Sequence, residues 1–250
     1  MPRYFIRLAY KGTNYNGWQV QPNAPTVQAE LEKSLSLIIR QQTEIVGCGR
    51  TDTGVHASDY YAHFDFEQGI PDTAELVYKL NKFISPDIAI KEIIEVNPVV
   101  HARFSATQRV YEYKIVREKN PFTQGLAYYY FGALDIDAMN KAAAVLLTIK
   151  DFKAFSKAHT DVKTTLCDVT LAQWEEKEDM LVFTISANRF LRNMVRAVVG
   201  TLLEVGRGKL SMEGFKEVVN SLERSEAGDS APAEGLYLSK IIYPQSVFKT

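Results

Sequence analysis

Two hydrophobic periods alternate along this chain, and that alternation limits the folds open to it. Tyr4, Ile6, Leu8 and Tyr10 alternate with Arg7, Ala9 and Lys11, the period of a strand with one buried face. After a turn-rich segment, 12–25, Thr26 offers an N-cap. Val27, Leu31, Leu35 and Ile38 then recur at helical spacing, with Glu30, Glu32 and Lys33 between them. The succession returns later: residues 109–116 alternate, and a helix capped by Asp135 or Asp137 runs through Met139, Ala143, Leu146 and Leu147. Short strands are expected at 44–47 and 60–66 around a glycine-bearing loop, 47–56. Strands at about 166–174 and 181–187 flank an acidic turn at 175–179, which reads as a hairpin. Phe190, Leu191, Met194, Val195, Val198, Val199, Leu202 and Leu203 predict a helix ended by Gly206 and Gly208, and Ser211 caps another through Phe215, Val218, Val219 and Leu222. Strands outnumber crossover helices. The expectation is therefore α+β, with helices on one face of antiparallel sheets, not a doubly wound parallel sheet.

Charge and composition narrow the partners. The chain has 250 residues, 46% hydrophobic and 24% charged, which excludes disorder and allows one large domain or two compact halves. Its longest apolar run, 142–147 followed by Thr148 and Ile149, is far short of the ~20 residues that span a bilayer, so no membrane protein is expected. Arg3, Arg7 and Lys11 interrupt any secretory core, and Cys48 and Cys167 make no disulfide framework; reducing cytoplasm is the expected compartment. With 29 basic and 30 acidic side chains the net charge is -1, so a polyanion would have to be held by a local patch. One such patch is visible. Residues 187–210 hold Arg189, Arg192, Arg196, Arg207 and Lys209 against Glu204 alone, and the first three arginines fall within about 60° on a helical wheel. Tyr111 and Tyr113 share a strand face near Arg109, the aromatic and basic pairing that stacks and neutralises nucleic acid. Solvated arginines and core tyrosines account for the same residues equally well at this point.

Gly49-Arg50-Thr51-Asp52-Thr53-Gly54-Val55-His56 sets one carboxylate in a glycine-flanked loop between strands. Asp52 there is either a reacting group or the acceptor of an Asx-turn, and both readings stand on these residues alone. The loop lacks the G-x-x-x-x-G-K-[ST] pattern that cradles nucleotide phosphates. Asp52-Thr53-Gly54 matches the triplet of aspartic proteases, which need a second carboxylate, and the chain holds no second triplet. His56, His63, His101 and His159 form no H-E-x-x-H and there are no paired cysteines, so no metal is expected. No nucleophile-elbow pattern supports a serine or cysteine hydrolase.

Taken together the segments resemble the bacterial tRNA pseudouridine synthase A family along nearly the whole chain. The resemblance rests on Gly17-Trp18-Gln19-x-Gln21, the 49–56 loop, His101-Ala102-Arg103-Phe104-Ser105-Ala106 leading to Arg109-x-Tyr111-x-Tyr113, and Asp151-Phe152-x-Ala154-Phe155. Phe190-Leu191-x-x-Met194-Val195-Arg196, Val199-Gly200 and Ala231-Pro232-Ala233-x-Gly235-Leu236 complete it. It implies two ferredoxin-like or RNA-recognition-like α+β halves, 1–105 with the catalytic loop and 106–250 with the aromatic strand and basic helix. These would share a continuous, mostly antiparallel sheet with a central active-site cleft. It also implies isomerisation of uridine to pseudouridine at positions 38, 39 and 40 of the tRNA anticodon stem-loop, by a homodimer without metal or cofactor. Asp52 would be the catalytic aspartate, Tyr111 the aromatic residue against the target uracil, Arg196 the arginine paired with the aspartate, and Arg50 the loop arginine that accompanies nucleotide flipping. Arg189 and Arg192 join Arg50 as expected substrate-binding residues. The chain departs from the family pattern at Lys11, where Asp is usual, at Asp59-Tyr60, where Gly-Gln is usual, and at Cys167, near which an arginine is usual. Two other classes compete: a catalytically silent RNA-binding module, which tolerates loss of Asp52, and a dimeric aspartic protease, which is indifferent to tRNA.

Overall fold

The structure is a computed structural model that describes residues 1–157 and 163–248; His159 lies outside the described residues. In chain order the strands and α-helices are β1 (Arg3–Tyr10), α1 (Val27–Ile39), β2 (Val46–Gly47), β3 (His56–Asp65), α2 (Thr73–Phe83), β4 (Ile88–Val96), β5 (Gln108–Val116), β6 (Tyr128–Tyr129), α3 (Ile136–Val145), β7 (Val169–Lys177), β8 (Met180–Ala187), α4 (Met194–Gly206), α5 (Met212–Ser221) and β9 (Leu236–Ile242). The class is α+β, as the periodicities predict. None of the described helices is long and apolar enough to cross a membrane.

The chain forms two compact units, Met1–Gln108 with Tyr237–Thr250, and Arg109–Leu236. The sequence reading divides at 105 and assigns everything later to the second half; in the structure the last segment returns to the first unit instead. It does so because Tyr237 and Leu238 of β9 pair in parallel with His56 and Ala57 of β3.

In the first unit β1 lies between β4 and β3, antiparallel to both, with Leu8 opposite Tyr60 and Ile90. Phe5, Ile6, Leu8, Tyr60 and Phe64 are fully buried there. Thr26 caps α1 by accepting from the Ala29 N–H (3.3 Å), and Leu31 and Leu35 face the core. β3 begins four residues earlier than expected, at His56, so the loop carrying Asp52 runs directly into the central strand of this unit.

In the second unit β8 is the middle of an antiparallel set, Tyr111 opposite Ile185 on one side and Trp174 opposite Phe183 on the other. Asp135 caps α3 and Ser211 caps α5, as the sequence predicts. α4 differs. Asn193 adopts a left-handed conformation (φ 64°) and stops helical winding, so the helix starts at Met194. Arg189 and Arg192 therefore precede the helix, and the expected basic helix face carrying all three arginines does not form; only Arg196 is helical. Almost every side chain of α4 is buried, which explains why its stripe is too wide for a surface helix.

Candidate active site

The Asp52 loop is held by backbone from 12–18. Trp18 N–H donates to the Thr51 carbonyl (3.3 Å), Gly54 N–H to the Tyr15 carbonyl (3.3 Å), and Gly12 N–H to His56 Nδ1 (3.0 Å). The approach is close enough to require glycine. A Cβ at Gly12 would overlap the Val55 carbonyl oxygen, and one at Gly17, whose φ is +85°, would overlap that of Thr51. Gly17 of the Gly-Trp signature is thereby packed directly on the 49–56 loop. Within the loop, Val55 N–H bonds the Asp52 main-chain carbonyl (3.1 Å), with Gly54 at φ +78°, closing a tight turn.

Burial differs along the loop. Thr51, Val55 and His56 are buried, Asp52 is partly accessible and Arg50 is exposed. Arg50 Nε donates to Gln19 Oε1 (3.2 Å), another residue of the signature. His56 accepts the Gly12 N–H at Nδ1 and stacks on Tyr237 at 4.6 Å, whose phenol burial pushes up to about 12. Two departures from the family pattern find partners here. Asp59 pairs with Arg7 (2.6 Å), and Tyr60 stacks on Trp18 and donates to the Gly49 carbonyl.

In the second unit the two strand tyrosines divide their labour. Tyr113 is wholly buried, donates to the Pro232 carbonyl (2.9 Å) and is kept protonated by burial, whereas Tyr111 is half-buried with Phe190 edge-on at 5.0 Å. Arg196 stands in the first turn of α4. Its Nε donates to the Ala231 carbonyl (2.7 Å), and its own carbonyl accepts from Ala231 N–H (2.9 Å). Around that reciprocal pair, Asn193 and Arg224 both bond Ser230 Oγ (2.6 and 2.9 Å), and Gly228 N–H bonds Thr201 Oγ1 (3.0 Å). The 228–232 segment is thereby strapped onto α4. Arg189 donates to the Thr164 carbonyl (3.2 Å), and the Arg192 carbonyl accepts from Lys157 N–H (3.1 Å). Cys167, near the position of the third departure, is buried, which pushes its thiol up to about 11 and makes it a core thiol.

Asp52 and Arg50 thus share one loop of the first unit, while Tyr111, Arg196, Arg189 and Arg192 belong to the second. Among the described residues no three His, Cys, Asp or Glu side chains gather as metal ligands. The supporting roles of Tyr10, whose Oη shares a 2.8 Å hydrogen bond with Thr51 Oγ1, and of Tyr60 carry no sequence signal, since neither belongs to the motif they support.

Comparison with known proteins bears on what such a loop does. Proteins named tRNA pseudouridine synthase A are 51% identical in Bacteroides thetaiotaomicron, 50% in Parabacteroides distasonis and 49% in Porphyromonas gingivalis. Each match covers 99% of this chain and 93%, 98% and 100% of the respective relative. The chain belongs to the tRNA pseudouridine synthase A family. A tRNA pseudouridine synthase family model also matches residues 142–244, a span that includes Arg196 and the strapped 228–232 segment. The 49–56 loop lies outside that span, within the stretch that the full-length matches cover.

Proposed function

We propose that this chain isomerises uridine to pseudouridine in tRNA, at positions 38, 39 and 40 of the anticodon stem-loop, with Asp52 as the acting carboxylate. The observation that carries the reading is the Asp52 loop, whose backbone is fixed on both sides by buried contacts while Asp52 itself stays partly accessible, in a chain of this family. The reaction breaks N1–C1', turns the uracil and forms C5–C1'. N1 gains a proton and C5 loses one, so no electrons are exchanged and no hydrolytic water is consumed. A carboxylate serves such chemistry as a nucleophile at C1' or C6, or as a base at C2'.

Reaching a stem uridine requires extruding it, at about a few kcal/mol. Stacking on a half-buried ring such as Tyr111, worth about 1–3 kcal/mol per base, offsets much of that. Arg50, exposed on the same loop as Asp52, fills the space left by the base, and Arg196 is a further residue on which turnover depends. Arg189 and Arg192 grip the phosphate backbone. The enzyme works in the cytoplasm as a homodimer with one tRNA contacting both subunits, a reading supported by family membership. Mapping pseudouridine in tRNA incubated with the purified protein tests the assignment. Product confined to the anticodon arm supports it, and binding without product returns the chain to the silent RNA-binding class.

A further inference from the structure

Behind the Asp52 loop three buried rings meet. Trp18 and Tyr60 stack with centroids 4.1 Å apart and 28° between planes, and Tyr10 lies 6.2 Å from Trp18 and edge-on to Tyr60 at 5.5 Å. Two hydroxyls of this cluster meet the loop. Tyr10 Oη shares its hydrogen bond with Thr51 Oγ1, and Tyr60 donates to the Gly49 carbonyl, so the two contacts flank Arg50 and end one residue before Asp52. The cluster is closely fitted: a Cβ at Gly47 would overlap both the Tyr60 hydroxyl and the Trp18 indole nitrogen. Tyr60 stands where the family usually carries another residue.

We propose that Tyr10 and Tyr60 are positioning residues for the isomerisation, fixing the 49–51 backbone from which Asp52 projects. The inference rests on the reading of Asp52 as the acting carboxylate. The physical argument is geometric. Asp52 projects from this backbone, so the torsions of the residues before it set where its carboxylate starts. Those torsions are restrained by the Gly49 carbonyl, by the Thr51 side chain and by the Trp18 bond to the Thr51 carbonyl. A misplacement of about 1 Å lowers a rate about a hundredfold, so restraints that leave the fold intact still govern turnover. Burial raises the Tyr60 phenol well above its ordinary range, which keeps it a donor throughout the working pH range.

The test is single-turnover pseudouridine formation with enzyme in excess, measured beside tRNA affinity, for Tyr10→Phe, Tyr60→Phe, Thr51→Val, Thr51→Ser and Asp52→Asn. Both phenylalanine variants and Thr51→Val are expected to bind tRNA within about twofold of the parent while the rate constant falls about tenfold or more. Thr51→Ser, which keeps the hydroxyl, restores the rate. Tyr10→Phe combined with Thr51→Val loses no more than the worse single variant, because both remove one bond. Rate constants for both phenylalanine variants within about twofold of the parent, with only melting temperatures lowered and Asp52→Asn inactive, overturn the proposal and leave a structural cluster. Turnover by Asp52→Asn instead overturns the reading of Asp52 beneath it.

Discussion

Gly200→Ala places a methyl group at the tightest contact of α4. A Cβ there overlaps the Asp229 carbonyl oxygen, stands 2.9 Å from its carbon and 3.3 Å from Ala231 N. Cβ atoms do not approach that closely, so the 228–231 backbone has to withdraw from the helix by more than an ångström. The helix itself gains about 1 kcal/mol from alanine over glycine. Against this stands overpacking, at about 1–3 kcal/mol. The Gly228–Thr201 and Ala231–Arg196 hydrogen bonds also stretch, each worth about 0.5–1.5 kcal/mol. A net loss of about 1–5 kcal/mol, centred near 3, lowers the melting temperature by about 2–20 °C for a chain of this size. Function suffers more. Arg196 loses the carbonyl that orients its guanidinium, and turnover is expected to fall about a hundredfold. The assay is circular-dichroism melting combined with single-turnover pseudouridine formation, with Gly208→Ala as control. A methyl group at Gly208 would meet no atom within 4 Å, but the φ there is +70°, so that variant loses only about 1 kcal/mol and keeps its turnover. Gly200→Ala melting with the parent and turning over at the parental rate refutes the reasoning.

Two other perturbations have defined outcomes. His63 is buried, accepts from Ala102 N–H (3.2 Å), and is held down to about 4 by burial and then by Arg3. The unfolded chain takes up a proton below about pH 6.5 that the folded chain refuses, so stability falls from there toward pH 4 by up to about 1.4 kcal/mol per pH unit. His63→Gln should flatten that slope in urea titrations at several pH values; an unchanged slope contradicts the assignment. Arg189→Glu with Arg192→Glu should weaken tRNA binding and reduce the salt slope by about one to two, since fewer counterions are released. Affinity and slope equal to the parent would assign both arginines to solvation.

The legible parts of this molecule are those written in local chemistry. Thr26, Asp135 and Ser211 cap helices where the sequence places them, and β1, β5 and β8 form where strands are expected. β4 leaves no such trace, and α2 shows only its Asp72 cap, which accepts from the Glu75 N–H (2.9 Å). α2 buries only Leu76 and Leu80 while exposing Tyr78 and Phe83, a stripe too thin to read, and a register shift opposite Arg7 and Leu8 breaks the alternation of β4. The wheel over 189–196 misleads because periodicity cannot register the left-handed Asn193, whose side chain is engaged by Ser230 from 37 residues away. The return of β9 to the first unit depends on pairing across some 180 residues, which no local pattern encodes. At the candidate site the motif marks Asp52 and its loop. Its backing by Tyr10 and Tyr60 is hidden, because a tyrosine on a strand face looks the same whether its hydroxyl is solvated or braces a loop. Cys167 is the reverse case: a departure from the family pattern that burial explains as packing.

The central claim is that the Asp52 carboxylate performs the isomerisation, and Asp52→Asn tests it most directly. The change preserves size and the main-chain bond that closes the turn, so the variant should fold and bind tRNA as the parent does. It removes the anion. With tRNA carrying tritium at uridine C5, the parent should release label as C5 joins C1', and the variant should release none and form no pseudouridine. The measurement includes mass spectrometry of the variant, which checks for deamidation to aspartate, and an expression host lacking its own enzyme. Multiple-turnover tritium release by Asp52→Asn under those conditions would contradict the account.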